Sequence, residues 1–203
     1  MYDWQDDRVI IRNGKPEVLL TFDDGPTEFL PELLSILKKE NAQGLFFWQS
    51  SLLKEAVPWK RVLDEGHLIG SHAHSHPKLS NLSYEEQYKE MENSKRQLEK
   101  LVGREIHYFR PPYGLYNEDT MKIAEELNLK VVLWQVASWD WKHETGEHQI
   151  IENVREYTQA GDVILLHELP QTVKVLPEVI QALREKGLWL SAPHAKLQLA
   201  GKG

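Results

Sequence analysis

The chain predicts an α/β fold, a parallel sheet of about seven strands with helices packed outside it. Three observations carry that expectation. Strand-like and helix-like segments alternate from about Val18 to Leu190. The strand-like runs are short and apolar. The residues with chemical potential gather just after those runs, at the C-terminal strand ends where α/β barrels and open α/β sheets place their sites.

Taken in order, Val18–Phe22 is an apolar run that ends at Asp23-Asp24. Glu32–Lys39 has helical spacing, with Leu33, Leu34 and Leu37 on one side. Leu45–Trp48 reads as a second buried strand, and Trp59–Asp64 as a short helix closed by Glu65-Gly66. His67–Ser71 is a third strand, feeding a histidine cluster. Ser83 opens a long helix through the capping-box pattern Ser83-x-x-Glu86, and Gly103 closes it. Tyr84, Tyr88, Met91, Leu98 and Leu101 form its apolar face, while its Glu and Lys residues read as solvated. His107–Phe109 is a strand stopped by Pro111-Pro112. Glu118–Leu127 is a helix, Lys130–Val136 a strand, Ile150–Thr158 a helix and Val163–Leu166 a strand. Val175–Lys186 is the last helix and Leu188–Leu190 the last strand.

The 203 residues suit one domain, 1–203, and 41% apolar content supports a real core. The formal charge of −7 comes without any basic run, which argues against a nucleic-acid backbone and an anionic membrane surface as partners. No cysteine is present, so disulfide and thiolate chemistry are excluded and His and carboxylates remain as metal ligands. There is no signal-peptide pattern and no run long enough to span a membrane. The opening Met-Tyr-Asp-Trp-Gln-Asp-Asp is polar. The expected location is therefore the cytoplasm for the chain as it stands, or the cell wall or exterior if an export segment was trimmed. No obligate protein partner is evident.

Two runs carry the chemistry. Thr21-Phe22-Asp23-Asp24-Gly25-Pro26 ends a strand with an acidic pair. Ser71-His72-Ala73-His74-Ser75-His76-Pro77 packs three imidazoles into five residues. Asp-Asp-Gly-Pro alone is ordinary turn chemistry, and a His-rich loop can be merely solvated. Together, carboxylate and imidazole form a metal-binding set. Of two adjacent Asp, one can bind the metal while the other stays free as a base.

These runs resemble the first two signatures of the polysaccharide deacetylase family, the NodB-homology or carbohydrate esterase family 4 domain. T-F-D-D-G-P is matched at every position, and H-[S/T]-x-x-H-P by His72, His76 and Pro77, with Ala73 in place of the hydroxyl. R-P-P-Y-G stands intact as Arg110-Pro111-Pro112-Tyr113-Gly114. D-x-x-D-W is half kept: Asp140-Trp141 match, and Ala137 takes the first Asp position. L-x-H-D appears as Leu165-Leu166-His167-Glu168. The signatures run in family order from residue 21 to 168.

The resemblance implies an irregular (β/α) barrel of about seven parallel strands. It also implies one divalent metal held by Asp24, His72 and His76, zinc first and cobalt, nickel or manganese as alternatives. Asp23 matches the base, Arg110 the residue that holds the base, His167 the acid, and Tyr113 the residue whose backbone N–H faces the oxyanion. His74 is expected to point elsewhere. Pro111, Trp139 and Trp141 are candidate substrate contacts, with Trp48 a further candidate wall, since aromatic faces stack on sugars. The Asp that Ala137 replaces would support His167 in the family. Without it, His167 is expected to lose its proton at lower pH unless Asp140 or Glu168 substitutes. The implied activity is metal-dependent removal of acetyl groups from N-acetylglucosamine-type glycans such as chitin oligomers or peptidoglycan. Two alternatives stand beside it: ester cleavage on acetylated xylan, and a glycan-binding or regulatory relative with little turnover.

Overall fold

The computed structural model describes residues 6–13 and 16–190. The polar opening residues Met1–Gln5 lie outside the described residues, so the domain limits 1–203 are followed only within them. Seven strands alternate with six α-helices: β1 Leu19–Gly25, α1 Leu30–Lys39, β2 Gly44–Trp48, α2 Trp59–Asp64, β3 Leu68–Ser71, α3 Tyr84–Val102, β4 Tyr108–Phe109, α4 Glu118–Glu126, β5 Lys130–Val131, β6 Val136–Ala137, α5 Glu147–Tyr157, β7 Val163–His167 and α6 Pro170–Glu185. All the strand pairs are parallel, in the order β5-β4-β3-β2-β1-β7-β6. The sheet curls into an open barrel with the helices outside.

Alternation along each strand sorts the side chains into two cores. Leu20, Phe22 and Phe46 point outward with Leu33, Leu37, Val179 and Leu183 of the flanking helices. Their neighbours Leu19, Leu45 and Phe47 point inward with Ile10, Tyr108, Val132 and Val163. A strand buried on both faces has no polar alternation, which is why these runs are continuously apolar.

Two elements differ from expectation. The apolar run Lys130–Val136 is two strands, β5 and β6, at opposite edges of the sheet. Between them the chain turns inward, and Val132 and Leu133 give their carbonyls to Arg110 at 3.0 and 2.7 Å. The seam is filled by residues 10–13. Ile10 N–H donates to Val131 O at 2.8 Å, Leu133 N–H to Ile10 O at 2.8 Å, and Asn13 N–H to Gly161 O at 2.7 Å. Leu188–Leu190 makes a single bridge, Val18 to Leu190, and no full strand. Helix α6 begins at Pro170, five residues before the expected Val175. Its first turn is polar and hides the apolar period, but Pro at the first position suits a helix start. The Ser83 capping box and the left-handed Gly103 cap of α3 are both present.

Candidate active site

The parallel register of β1 and β7 places Asp23 beside His167. Successive strand residues normally face opposite ways, yet Asp23 and Asp24 both reach the same cavity. Asp24 has φ 63°, and this left-handed turn swings its carboxylate back to the side of Asp23. Gly25 follows because nothing larger fits. A Cβ there would lie 1.9 Å from Glu168 Oε1 and 2.7 Å from Trp48 Cδ1.

Asp23 is buried and receives a 2.7 Å hydrogen bond from Arg110 Nη1. Arg110 is fully buried, and its other donors are fixed by Thr21 Oγ1 and by the Val132 and Leu133 carbonyls. Every contact thus orients the guanidinium toward one carboxylate oxygen. Burial raises the Asp23 pKa, and the charge of Arg110 opposes that rise without cancelling it. Asp23 is therefore more basic than a solvated carboxylate.

Asp24, His72 and His76 converge, with one ligand atom from each lying within 4.8 Å of the others. His76 Nε2 is 3.2 Å and His72 Nε2 3.7 Å from Asp24 Oδ1. Those spacings suit a small tetrahedral shell with bonds of roughly 2.0–2.2 Å. The tautomer also suits a metal. His72 Nδ1 lies 2.7 Å from the Arg110 carbonyl, which can only accept, so the proton sits there and Nε2 keeps its lone pair. Burial pushes the His72 pKa down to about 3, against the pull of Asp24, so the ring is neutral. Gln49 Nε2 donates to Asp24 Oδ1 at 2.9 Å and steadies the third ligand.

Glu90 of α3 holds the histidine loop. Its Oε2 accepts from the backbone N–H groups of His74 and Ser75 at 3.0 and 2.9 Å, and its Oε1 accepts from Ser75 Oγ at 2.9 Å. These bonds do the steadying that Ala73 cannot. His74 points away from the ligand cluster, with Nδ1 2.7 Å from Ser50 Oγ.

On the other side stands His167, whose Nδ1 is 2.7 Å from Asp140 Oδ1. Asp140 is fully buried and also accepts from the His167 backbone N–H at 2.7 Å and Thr172 Oγ1 at 2.6 Å. Burial alone would lower the His167 pKa, but Asp140 and the two acids of β1 outweigh it, and the net shift is upward. Of the two acids named as substitutes for the carboxylate that Ala137 lacks, it is Asp140 that contacts His167. Asp140 fills that role from the turn after β6. Sequence spacing could not separate the two positions of the D-x-x-D-W signature.

Backbone strain gathers at this site. Among the described residues, seven non-glycines have positive φ: two asparagines, which tolerate it, and Asp24, Ala73, His76, Tyr113 and Trp139. All five of the latter lie in the metal loops or on the rim of the cavity.

A cavity of about 870 Å³ connects these groups, with Asp23, Asp24, His72, His76, Tyr113 and His167 on its wall. Trp139 and Trp141 also line it, 4.9 Å apart, and Trp141 stands edge-on 4.9 Å from His167. Tyr113 is half exposed, its ring 4.6 Å from that of His76. Two expectations fail. Pro111 is buried and is not on the cavity wall; it directs the chain into the turn that presents Tyr113. Trp48 is fully buried and donates from Nε1 to Glu168 Oε1 at 2.8 Å, so it is core. Glu90 and Gln49 were missed by sequence reasoning and carried no local signal, whereas Asp140 stood out as a matched signature position.

A family model described as polysaccharide deacetylase matches residues 11–132. The chain belongs to the polysaccharide deacetylase family. A peptidoglycan-N-acetylglucosamine deacetylase of Bacillus cereus is 38% identical over 86% of this family member. The chain spans 66% of that enzyme's own length. The crystal structure of the Bc1960 peptidoglycan N-acetylglucosamine deacetylase, complexed with a naphthalenyl N-oxidanyl-benzamide, superposes with a TM-score of 0.82. It is 36% identical, and the match covers 90% of this chain and 88% of that one. BA3943, a family 4 pseudoenzyme from Bacillus anthracis, has a TM-score of 0.81 at 27% identity over 88% of this chain and 64% of its own. Among the described residues, no helix is long and apolar enough to cross a membrane.

Proposed function

We propose that this deacetylase-family chain is a metal-dependent hydrolase that removes the N-acetyl group from N-acetylglucosamine-type units of a glycan. The observation that carries the reading is the paired arrangement around one cavity. Asp23 locked by Arg110 and His167 locked by Asp140, neighbours across β1 and β7, face the same cavity as the three-ligand cluster. The two relatives described as acting on peptidoglycan N-acetylglucosamine support the substrate class.

Amide hydrolysis needs an activated water, a stabilised oxyanion and a proton for the departing nitrogen. A divalent ion, zinc first, suits Asp24, His72 and His76, and when bound it supplies Lewis-acid polarisation of the carbonyl and acidification of water. Asp23 accepts the proton of the attacking water, since its free Oδ2 faces the cluster 3.7 Å from His72 Nε2. Asp140 favours the protonated form of His167, which gives its Nε2 proton to the leaving nitrogen. The backbone N–H of Tyr113 serves the oxyanion. Trp139 and Trp141 offer aromatic faces to the sugar. The intact support of His167 favours turnover over a glycan-binding role without turnover.

The test is acetate release from defined chitin, peptidoglycan and acetyl-xylan substrates with metal added back. Asp23→Asn is expected to keep its metal and lose at least about a hundredfold in rate. Asp24→Asn is expected to lose metal first. Equal metal content in the two variants would show that the acids do not divide the work. Acetate from xylan alone would make the chain an esterase.

A further inference from the structure

We propose that this site accepts N-acyl groups longer than acetyl, with the acyl chain running down a neck beside Ala137. The inference rests on the deacylation reading above and deepens it. The cavity does not end at the ligand cluster. It continues past Leu165 and Ala137 to Trp134 and on to the Arg12–Asp162 ion pair.

Sheet register fixes the order of these layers. Ala137 pairs with Leu165, two residues before His167 on the same face of β7. At about 3.3 Å per residue, the Leu165 layer lies roughly 7 Å below the acid, and Asp162 roughly 16 Å below it. An acetyl methyl, about as large as a water molecule, fills only the top of that depth.

The lining decides the occupant. Sugar rings want aromatic faces and polar edges, and those are on the rim, where Tyr113, Trp139 and Trp141 are 52%, 40% and 37% exposed. The wall segment from Trp134 to Ala137 carries no charge and one amide, Gln135, and Leu165 on the paired strand is apolar, while Tyr157 and Gln159 border this stretch on its solvent side. That is a wall for an alkyl chain. Ala137 is the gate, because any larger side chain there narrows the neck, Asp included. The far end sets a limit. Asp162 is a buried carboxylate whose Oδ1 has no hydrogen-bond partner beyond its ion pair with Arg12, so an alkyl terminus pressed against it would be unfavourable. A butyryl chain extends toward the Ala137–Leu165 layer and a hexanoyl chain about reaches it, both well short of the ion pair. The reaction is otherwise unchanged: water oxygen bonds to the acyl carbon, the C–N bond breaks, nitrogen takes the proton, and a longer carboxylate leaves beside the free amine.

The test pairs turnover with binding. N-acetyl-, N-butyryl- and N-hexanoyl-glucosamine oligomers are compared on metal-loaded protein, and acetate, butyrate and hexanoate are titrated calorimetrically. Each methylene removed from water is worth about fourfold in affinity. Butyrate binding about 15-fold tighter than acetate, with kcat/KM for N-butyryl at or above that for N-acetyl, is the expected result. Ala137→Phe fills the neck and brings the butyrate-to-acetate affinity ratio near one; Ala137→Leu serves if the Phe variant does not fold. N-acetyl cleavage with N-butyryl a hundredfold slower overturns the neck and leaves deacetylation standing. If no substrate is cleaved, the catalytic reading fails, and the carboxylate titrations decide the neck alone: equal acetate and butyrate affinities overturn it. Tight butyrate binding that neither Ala137 variant alters puts the alkyl chain elsewhere and overturns it as well.

Discussion

Asp140→Asn is the sharpest test of how the acid is poised. His167 must carry its proton when the nitrogen leaves, so the alkaline limb of the rate profile follows its pKa. Burial pulls that pKa down, and Asp140, 2.7 Å from Nδ1, is the largest opposing influence. The His167 side chain is 13% exposed, so solvent screens the pair little. A carboxylate in direct contact is worth about one to three pKa units. At an effective dielectric near 20, a charge pair about 4 Å apart gives roughly 4 kcal/mol, or about three units, which agrees with the upper bound. Removing the charge should therefore move the alkaline limb down by about one to three units, with activity above it falling about tenfold per unit. The assay is kcat/KM against pH on metal-loaded protein, with a thermal melt to confirm folding. Thr172→Val is the companion, because it removes a donor to Asp140 and leaves the carboxylate. An alkaline limb that stays in place in folded Asp140→Asn, or that moves equally in Thr172→Val, would show that the Asp140 charge does not set the acid.

Two further outcomes follow from the surrounding contacts. Glu90→Ala removes the three hydrogen bonds that hold the histidine loop, and metal affinity is expected to fall about 10- to 100-fold, read by competition with a chelator; unchanged affinity would make the clamp irrelevant. Glu168 is buried beneath Gly25, and burial raises its pKa from 4.5 to about 7 despite hydrogen bonds from Thr27 and Trp48. The folded state thus holds this proton more tightly than the unfolded chain, so the contribution of Glu168 to stability is full below about pH 4.5 and is lost as pH rises through about 7, by about 3 kcal/mol in the metal-free protein. Urea midpoints at pH 5 and pH 8 should show that slope, and Glu168→Gln should flatten it.

Much of the site was legible because its chemistry sits in contiguous signatures at strand ends. Asp23, Asp24, His72 and His76 need only the short loops after β1 and β3 to meet. What escaped notice acts across the fold. Glu90 lies on a helix whose acidic residues look like a solvated face, and nothing local shows that it caps the loop packed beside it. Asp140 sat in a matched signature, but its geometry depends on how the turn after β6 meets the end of β7. The run Lys130–Val136 read as one strand because apolar period carries no sign of an inward turn. Only the buried Arg110, collecting two carbonyls there, explains the break. Trp48 looked like a subsite wall because its place at a strand end does not reveal which face it takes.

The seam between β5 and β6 has a consequence for the order in which the molecule forms. Its stave, residues 10–13, hydrogen-bonds to Val131 and Leu133 on one flank and to Gly161 on the other, all more than a hundred positions further along the chain. Contacts of such separation carry a large loop-closure cost and form late unless the intervening chain is already in place. Adjacent pairs such as β1 with β2 and β2 with β3 can assemble from near neighbours, so the barrel is built from its middle outward and shut last by the segment 10–13 that precedes β1. Arg12, which borders the deep end of the cavity, belongs to that final piece, so the shape of the ligand-binding space is completed only when the fold itself is.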